Sequence, residues 1–266
     1  MRKKMTIPDL LQMKREGRKI TVLTAYDYPT ARLVDAGGVD AILVGDSAGV
    51  VFGGHENTLP VTMDEMLYHV KAVARAKPKA LVIADMPFMA CQSGEIAALK
   101  NCGRMLQEGG AEAVKIEGGC NMASIIRAVT GMDIPVVGHV GLTPQSVHRM
   151  GGYKVQGRKD QAERIIDDAH AVQEAGAFAV VLEGIPAKLA ARITEMLDIP
   201  TIGIGAGPAC DGQVLVIHDI LGLCEKYSPK FVKRYAELAP VITEAARQYV
   251  SEVKDGTFPT EEHSFS

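Results

Sequence analysis

The sequence is poor in the residues and segments that mark several classes of protein. It has no tryptophan, and aromatic residues make up 5% of its 266 residues, so an aromatic stacking surface for single-stranded nucleic acid is not expected. A general nucleic-acid binder is usually basic, whereas the formal net charge here is -3. No stretch approaches the roughly 20 consecutive apolar residues of a membrane span. We therefore expect neither nucleic acid nor a membrane as a partner.

Cysteine is also scarce, and the five cysteines are widely separated. Without a C-x-x-C pair they predict neither a zinc ribbon nor a disulfide framework, and free thiols favour a reducing compartment. The basic segment at residues 1–9 is not followed by an apolar run, so it lacks the pattern of a secretory signal peptide. The expected location is the cytoplasm.

Eight short apolar runs recur along the chain, and each ends in glycine or a polar residue. They are rich in valine and isoleucine and nearly continuous, which is typical of strands buried on both faces. The runs span residues 19–27, 41–47, 80–86, 113–118, 135–142, 178–185, 200–207 and 213–221.

Helical patterns lie between most of these runs. Thr62-Met-Asp-Glu65 is a capping box that predicts a helix after the second strand. Apolar residues at helical spacing predict further helices within 92–110, 121–131 and 158–176, and 6–17 predicts an extra helix before the first strand. The connection between the last two strands is too short for a full helix.

Strand and helix alternating eight times predict an α/β fold, a (β/α)8 TIM barrel. An open, doubly wound sheet is the alternative, but it more often has a glycine-rich loop after its first strand, and Tyr26-Asp27-Tyr28 is not one. No composition shift marks a boundary, so we expect one barrel domain over residues 1–266.

Ionisable residues close nearly every predicted strand at the same end, where barrel enzymes place their active sites. Any one of them could be a helix cap, and Asp27 and Asp219 are the best candidates for that role. Packed together they would repel unless a cation or an ion pair offset their charge. The set is Asp27, Asp46, Asp85, Lys115, Glu117, His139, Glu183, His218 and Asp219.

Asp46, Asp85 and Glu117 close three successive strands, which are neighbours in a parallel barrel. Hard oxygen ligands without Cys or His suit Mg²⁺, whereas Zn²⁺ more often recruits nitrogen or sulfur. The sequence therefore predicts a magnesium site. A more modest role, orienting a ligand or a water, stays open for Glu117.

Three further residues each allow two interpretations. Lys115 either balances the carboxylates and holds an anionic substrate or forms a Schiff base, which nearby carboxylates oppose by keeping the amine protonated. Glu183 follows the apolar Val180-Val-Leu, so it is a candidate general base or a cap of the next helix. His139 either binds substrate or acts as an acid, or is structural.

Several longer motifs resemble the ketopantoate hydroxymethyltransferase family. They occur in order from about residue 20 onwards. The motifs are Val44-Gly-Asp-Ser47, Thr58-Leu-Pro-Val-Thr62, Ala84-Asp-Met-Pro-Phe88, Val114-Lys-Ile-Glu-Gly-Gly119, Gly138-His-Val-Gly-Leu-Thr-Pro-Gln-Ser146, Gly151-Gly-Tyr-Lys-Val-Gln-Gly-Arg158, Ile202-Gly-Ile-Gly-Ala-Gly207, Asp211-Gly-Gln-Val-Leu-Val216 and Glu262-His-Ser-Phe265.

The resemblance implies a barrel of the phosphoenolpyruvate/pyruvate type and a cytoplasmic homo-oligomer, a decamer. The implied reaction, a step of pantothenate biosynthesis, transfers a hydroxymethyl group from 5,10-methylenetetrahydrofolate to 3-methyl-2-oxobutanoate and gives 2-dehydropantoate. The small-molecule partners are thus a 2-oxo acid and a folate, with Mg²⁺ as cofactor. No residue that contacts the folate is apparent from the pattern.

The resemblance also assigns roles to individual residues by motif. Glu183 is implied as the proton acceptor. The implied metal ligands are Asp46, Asp85 and Glu117. The implied contacts to the oxo acid are Asp46, Ser47, Asp85 and Lys115, with His139 added as a further candidate substrate-binding residue.

Two rival functions remain open on sequence grounds. One is a Schiff-base aldolase that uses Lys115. The other is a non-catalytic barrel that binds a metal and a small acid as a sensor or scaffold.

Overall fold

The computed structural model describes residues 2–224 and 229–266. Within it the chain divides into two compact units, Met1–Val216 and Ile217–Ser266. The first unit holds every strand that the structure describes and all of the strand-end residues that the sequence singled out except His218 and Asp219. That the whole chain forms one domain stays a prediction.

The first unit is a closed barrel of parallel strands, each paired with the next in sequence order and the last with the first. The order confirms the predicted (β/α)8 topology and excludes the open-sheet alternative. The strands are β1 Ile20–Thr24, β2 Ala41–Val44, β3 Leu81–Asp85, β4 Ala113–Glu117, β5 Val136–Gly141, β6 Ala179–Glu183, β7 Thr201–Ile204 and β8 Gly212–Leu215.

Helices connect successive strands, except that residues 205–211 join β7 to β8 without one, as the short spacing predicts. Short 3-10 helices at Cys120–Met122, Pro144–Ser146 and Lys159–Gln161 precede three of them. The α-helices of this unit are α1 Ile7–Arg15, α2 Tyr28–Ala36, α3 Ala48–Val51, α4 Met63–Arg75, α5 Glu95–Gln107, α6 Ala123–Thr130, α7 Val147–Met150, α8 Ala162–Glu174 and α9 Ala187–Met196.

Side-chain caps fix where two of these helices begin. Thr62 accepts a hydrogen bond from the backbone N–H of Glu65, and the Glu65 carboxylate accepts from the backbone of Thr62, which confirms the predicted capping box before α4. Thr6 and Asp9 make the same reciprocal pair before α1. Each pair satisfies backbone donors that have no partner within the helix.

The barrel interior is an apolar core closed at one end by α1. Alternate residues of the strands point inward, such as Val22 on β1 and Leu43 on β2. Leu10 and Met13 of α1 pack against the same cluster. Helix α1 therefore covers one end of the interior, which leaves the opposite end, where the strands finish, for polar side chains.

The second unit contains α10 Ile217–Ile220, α11 Leu238–Lys254 and a 3-10 helix at Glu261–His263. The prediction of a strand over 213–221 is wrong beyond Leu215, because Ile217 and Ile220 are buried at helical rather than alternating spacing. His218 and Asp219 therefore lie on a short helix and not at a strand end.

Within the part of the chain that the structure describes, no helix combines the length and the apolar character needed to cross a membrane.

Candidate active site

A pocket of about 540 Å³ opens where the barrel strands end. Its floor is apolar and includes Leu43, Val181 and Val214. Its walls carry all of the residues that the sequence singled out as candidate site residues: Asp46, Ser47, Asp85, Lys115, Glu117, His139 and Glu183.

The register of the strands brings these side chains together. Asp85 on β3 lies opposite Lys115 on β4, and Glu117 lies opposite His139 on β5. Registered residues on parallel strands point to the same side of the sheet, and residues two apart on one strand do so as well. All four therefore face the pocket.

Lys115 lies at the centre of the charged cluster and is 4% exposed. Its Nζ is 2.8 Å from Asp85 Oδ1 and 3.1 Å from His139 Nδ1. Burial alone would lower the pKa of Lys115, but Asp85, Glu117 and Asp46 together outweigh burial and raise this pKa above its usual value. The ammonium form is thus the stable one, as charge balance requires.

His139 joins Lys115 to Glu183. An ammonium group can only donate, so His139 Nδ1 accepts from Lys115 and the ring hydrogen is assigned to Nε2. Nε2 lies 3.1 Å from Glu183 Oε2. Burial and then the charge of Lys115 lower the pKa of His139 well below its usual value. A neutral imidazole therefore faces Glu183 with its N–H.

Glu183 ends β6, and its side chain is 15% exposed, whereas those of Lys115 and Asp85 are 5% or less. Burial raises the pKa of Glu183 to about 8. The N-cap residue of α9 is Pro186 rather than Glu183. The carboxyl group of Glu183 is left available for proton transfer.

Asp46 and Glu117 are held by one residue that the sequence did not single out. Gln145 donates from Nε2 to Asp46 Oδ2 at 3.0 Å and from its backbone N–H to Glu117 Oε2 at 3.0 Å. Nε2 also donates to the carbonyl of Met86. Gln145 lies within the Gly138–Ser146 motif, but its amide chemistry alone gives no signal of such a role.

The negative charge at Asp46 and Glu117 is only partly compensated. Burial, followed by the charge of Asp85, raises the pKa of Asp46 to about 7. Burial, followed by the charge of Asp46, raises the pKa of Glu117 well above its usual range. Buried carboxylates that repel each other favour a bound cation.

A largely hydrated Mg²⁺ suits these donors better than a closed metal cage. Glu117 Oε1 is buried and has no hydrogen-bond partner among the residues that the structure describes. Mg²⁺ takes few protein carboxylates while keeping several waters. Within residues 2–224 and 229–266, no three His, Cys, Asp or Glu side chains already converge as a metal site.

Ser47 and Asp27 have well-defined neighbours. The hydroxyls of Ser47 and Tyr26 are 2.9 Å apart, and His69 Nδ1 is 2.7 Å from the carbonyl oxygen of Tyr26. Asp27 accepts a hydrogen bond from the backbone N–H of Thr30 at the start of α2, so its helix-cap interpretation is confirmed. Tyr26 was not singled out from the sequence because a buried tyrosine usually belongs to the core.

Solved structures with a similar fold support the assignment of a TIM barrel. A 2,3-dimethylmalate lyase of the PEP mutase/isocitrate lyase superfamily superposes with a TM-score of 0.61 at 17% identity, covering 100% of this chain and 93% of the other. A phosphonopyruvate hydrolase in complex with oxalate and Mg²⁺ gives a TM-score of 0.62 at 14% identity, covering 97% and 93%. This chain therefore has the same TIM-barrel fold as these structures.

Sequence comparisons define the family. A model of ketopantoate hydroxymethyltransferase matches residues 4–261. The chain is 92% identical over 266 residues to a 3-methyl-2-oxobutanoate hydroxymethyltransferase of Trichlorobacter lovleyi, covering 100% of both. It is 75% identical to one of Pelobacter propionicus, covering 100% of this chain and 99% of the other. The chain belongs to the ketopantoate hydroxymethyltransferase family and is a transferase enzyme.

Proposed function

We propose that this enzyme transfers a hydroxymethyl group from 5,10-methylenetetrahydrofolate to 3-methyl-2-oxobutanoate and releases 2-dehydropantoate and tetrahydrofolate, with one water consumed. The proposal fits a cytoplasmic enzyme of pantothenate biosynthesis that acts as a homo-oligomer, a decamer, as the family resemblance implies. The observation that carries it is the position of Glu183, a carboxyl group of raised pKa that faces a cluster of Asp46, Asp85 and Lys115 across one pocket.

The oxo acid binds by its negative charge and its keto oxygen. Its C3 carbon carries one weakly acidic hydrogen next to the ketone. Lys115 supplies a permanent positive charge, and Ser47 supplies a hydroxyl on the same wall. Both can hold the carboxylate or the keto oxygen and so orient C3 towards Glu183.

Glu183 removes the C3 proton. A base is most effective when its pKa lies near the working pH, and burial brings the pKa of Glu183 to about 8. His139 Nε2 lies 3.1 Å from Glu183 Oε2, so the neutral imidazole borders the carboxyl group that takes the proton. Water releases the methylene carbon of the folate as formaldehyde, and both of its C–N bonds to tetrahydrofolate break. The enolate attacks this carbon and forms the new carbon–carbon bond, while the formaldehyde oxygen takes the proton back from Glu183 and becomes the new hydroxyl group.

Asp46, Asp85 and Glu117 are the residues that would hold Mg²⁺. When bound there, the ion would supply positive charge that stabilises the negative charge developing on the oxo acid. The unpartnered Glu117 Oε1 and the raised pKa of Asp46 support this assignment.

A deuterium-exchange experiment tests the role of Glu183. In deuterated water without folate, the enzyme should exchange the C3 hydrogen of 3-methyl-2-oxobutanoate. Glu183→Gln keeps shape and polarity but cannot accept a proton, so exchange and turnover should both fall by about 10²–10⁴-fold. Glu195→Gln, at an exposed position of α9, is the matched control and should exchange at the wild-type rate.

One outcome would assign the role of the general base to another residue. If Glu183→Gln exchanges at the wild-type rate while turnover falls, Glu183 acts after deprotonation, and His139 becomes the candidate base.

A further inference from the structure

A second and larger cavity, a groove of about 1140 Å³, lies beside the active-site pocket. Gly118 and Gly119, which line it, directly follow Glu117 of the pocket, and Gly141 lies two residues after His139. The backbone N–H of Gly118 donates to the carbonyl of His139 at 2.9 Å. The two cavities are therefore lined by neighbouring residues of the same strands, although no residue lines both.

The groove is basic although the chain as a whole is acidic. Three cationic side chains line it, those of Arg149, Lys154 and Arg164, against the single carboxylate of Asp168. That carboxylate is already engaged, because Asp168 Oδ1 accepts from the backbone N–H of Cys120 at 2.8 Å. Arg164 Nε is 3.9 Å from Asp168 Oδ2 and its side chain is 69% exposed, so it is free to turn to a ligand.

The loop between α7 and α8 connects the groove to the pocket mouth. Gln156, which lines the groove, donates from its backbone N–H to the carbonyl of Gly184, the residue after Glu183. Burial, and then the negative charge of Asp46, Glu183 and Glu117, raises the pKa of Tyr153. Tyr153 is 53% exposed, and the next residue, Lys154, lines the groove.

On the basis of the function proposed above, we propose that this groove binds the glutamate tail of the folate donor. The tail carries two carboxylates, and the three cations together with the carboxylate of Asp168 give the groove a net charge of +2 that matches them. The one-carbon end then lies in the pocket near Glu183, and the aromatic ring between the two ends passes Tyr153. Charge-assisted bonds to exposed side chains are individually weak, so the cations act together.

The test removes two of the cations and measures each substrate separately. In Lys154→Ala/Arg164→Ala, each lost contact at an exposed site weakens binding a few-fold, so the KM for 5,10-methylenetetrahydrofolate should rise about tenfold. The KM for 3-methyl-2-oxobutanoate should stay at the wild-type value. The double variant Arg75→Ala/Lys100→Ala, at exposed positions on α4 and α5, removes the same charges elsewhere and should change neither constant.

A truncated ligand locates the contact on the folate. The dissociation constants of tetrahydrofolate and of tetrahydropteroate, which lacks the glutamate, are compared by calorimetry. Wild-type enzyme should bind tetrahydropteroate about tenfold more weakly than tetrahydrofolate. In Lys154→Ala/Arg164→Ala the two ligands should bind equally, and Lys154→Arg/Arg164→Lys should restore the difference.

Two results would overturn the inference. One is an unchanged KM for the folate in the alanine double variant, and the other is an equal loss of affinity for both ligands, which would indicate a structural effect. The failure of the proposed function is a separate result, since wild-type enzyme would then not convert the oxo acid with 5,10-methylenetetrahydrofolate at all.

Discussion

Lys115 shows how a single buried residue acquires its chemistry from its neighbours. A lysine in an apolar barrel would lose its proton readily and could form a Schiff base. Here Asp85 Oδ1 lies 2.8 Å from its Nζ, and Glu117 and Asp46 add further negative charge. The carboxylates therefore keep the amine charged, which favours electrostatic binding over covalent catalysis.

We expect Lys115 to form no covalent adduct. Borohydride treatment in the presence of 3-methyl-2-oxobutanoate should leave the mass of the protein unchanged, because a protonated amine does not attack a ketone. Peptide mapping by mass spectrometry is the measurement. A reduced adduct located at Lys115 would instead support the Schiff-base aldolase.

Asp46 is expected to destabilise the metal-free enzyme. Its pKa is about 7 in the folded state and near 4 when unfolded, so the unfolded state loses the proton first as the pH rises. The free-energy cost of burying the Asp46 carboxylate is absent below pH 4, grows between about pH 4 and 7 and is complete at higher pH. Asp46→Asn should therefore raise the unfolding free energy at pH 8 by on the order of 2 kcal/mol while abolishing turnover.

Urea denaturation in the presence of a chelator measures this effect. Asp198→Asn, at an exposed position, is the matched control and should change the unfolding free energy by less than about 0.5 kcal/mol. An Asp46→Asn gain that is equally large at pH 4 and pH 8 would contradict the electrostatic explanation.

Residue types at the strand ends were sufficient to predict which side chains line the pocket, but not how they pair. Asp85 and Lys115 could be placed on neighbouring strands by counting alone. The bridging role of Gln145 could not be predicted in this way, because a glutamine in a loop carries no charge pattern. Its contacts depend on a 3-10 turn. The sequence likewise does not decide between the two interpretations of His139, because its distances to Lys115 and Glu183 come only from the structure.

Among the elements, β5 and α8 are packed too closely for a side chain at Gly138. A Cβ atom there would lie 2.2 Å from Val172 Cγ1 on α8. Because Val172 is fully buried, neither β5 nor α8 can shift without disrupting the packing between them. This contact fixes the spacing between α8 and β5, the strand that carries His139.

Two glycine substitutions should have opposite effects on stability. Gly138→Ala overpacks the interface and should lower the unfolding free energy by about 1–3 kcal/mol. Gly103→Ala, inside α5 where no atom lies within 4 Å of the new Cβ, should raise it by about 0.5–1 kcal/mol. Thermal and urea unfolding of both variants provide the comparison. A neutral Gly138→Ala would show that α8 is free to shift.

Element boundaries were predictable where local signals were strong. The capping box at Thr62 and the apolar run of β6 have sequence patterns that tertiary contacts do not override. The end of β8 was not predictable from the sequence, because the segment from Val216 to Leu221 is as apolar as a strand. Only the burial pattern of this segment shows that it forms the turn of α10.

At the scale of the whole molecule, the apolar residues that stabilise the barrel and the charged residues of the candidate active site lie in different parts of the barrel. Helix α1 fills one end with Leu10 and Met13, and the charged pocket occupies the other. The apolar layers between them hold the strands in register, so that residues from β2 to β6 converge without any local sequence contact. The proposed decameric assembly and the proposed folate contacts would involve surfaces that carry no comparable periodic pattern.

The most direct test of the account is the conversion of 3-methyl-2-oxobutanoate with 5,10-methylenetetrahydrofolate, followed with and without a chelator. We expect 2-dehydropantoate to form, chelation to abolish its formation and Mg²⁺ to restore it, because Asp46 and Asp85 need a cation to offset their charge. Full activity of an Asp46→Ala/Asp85→Ala variant in the presence of the chelator would contradict the account.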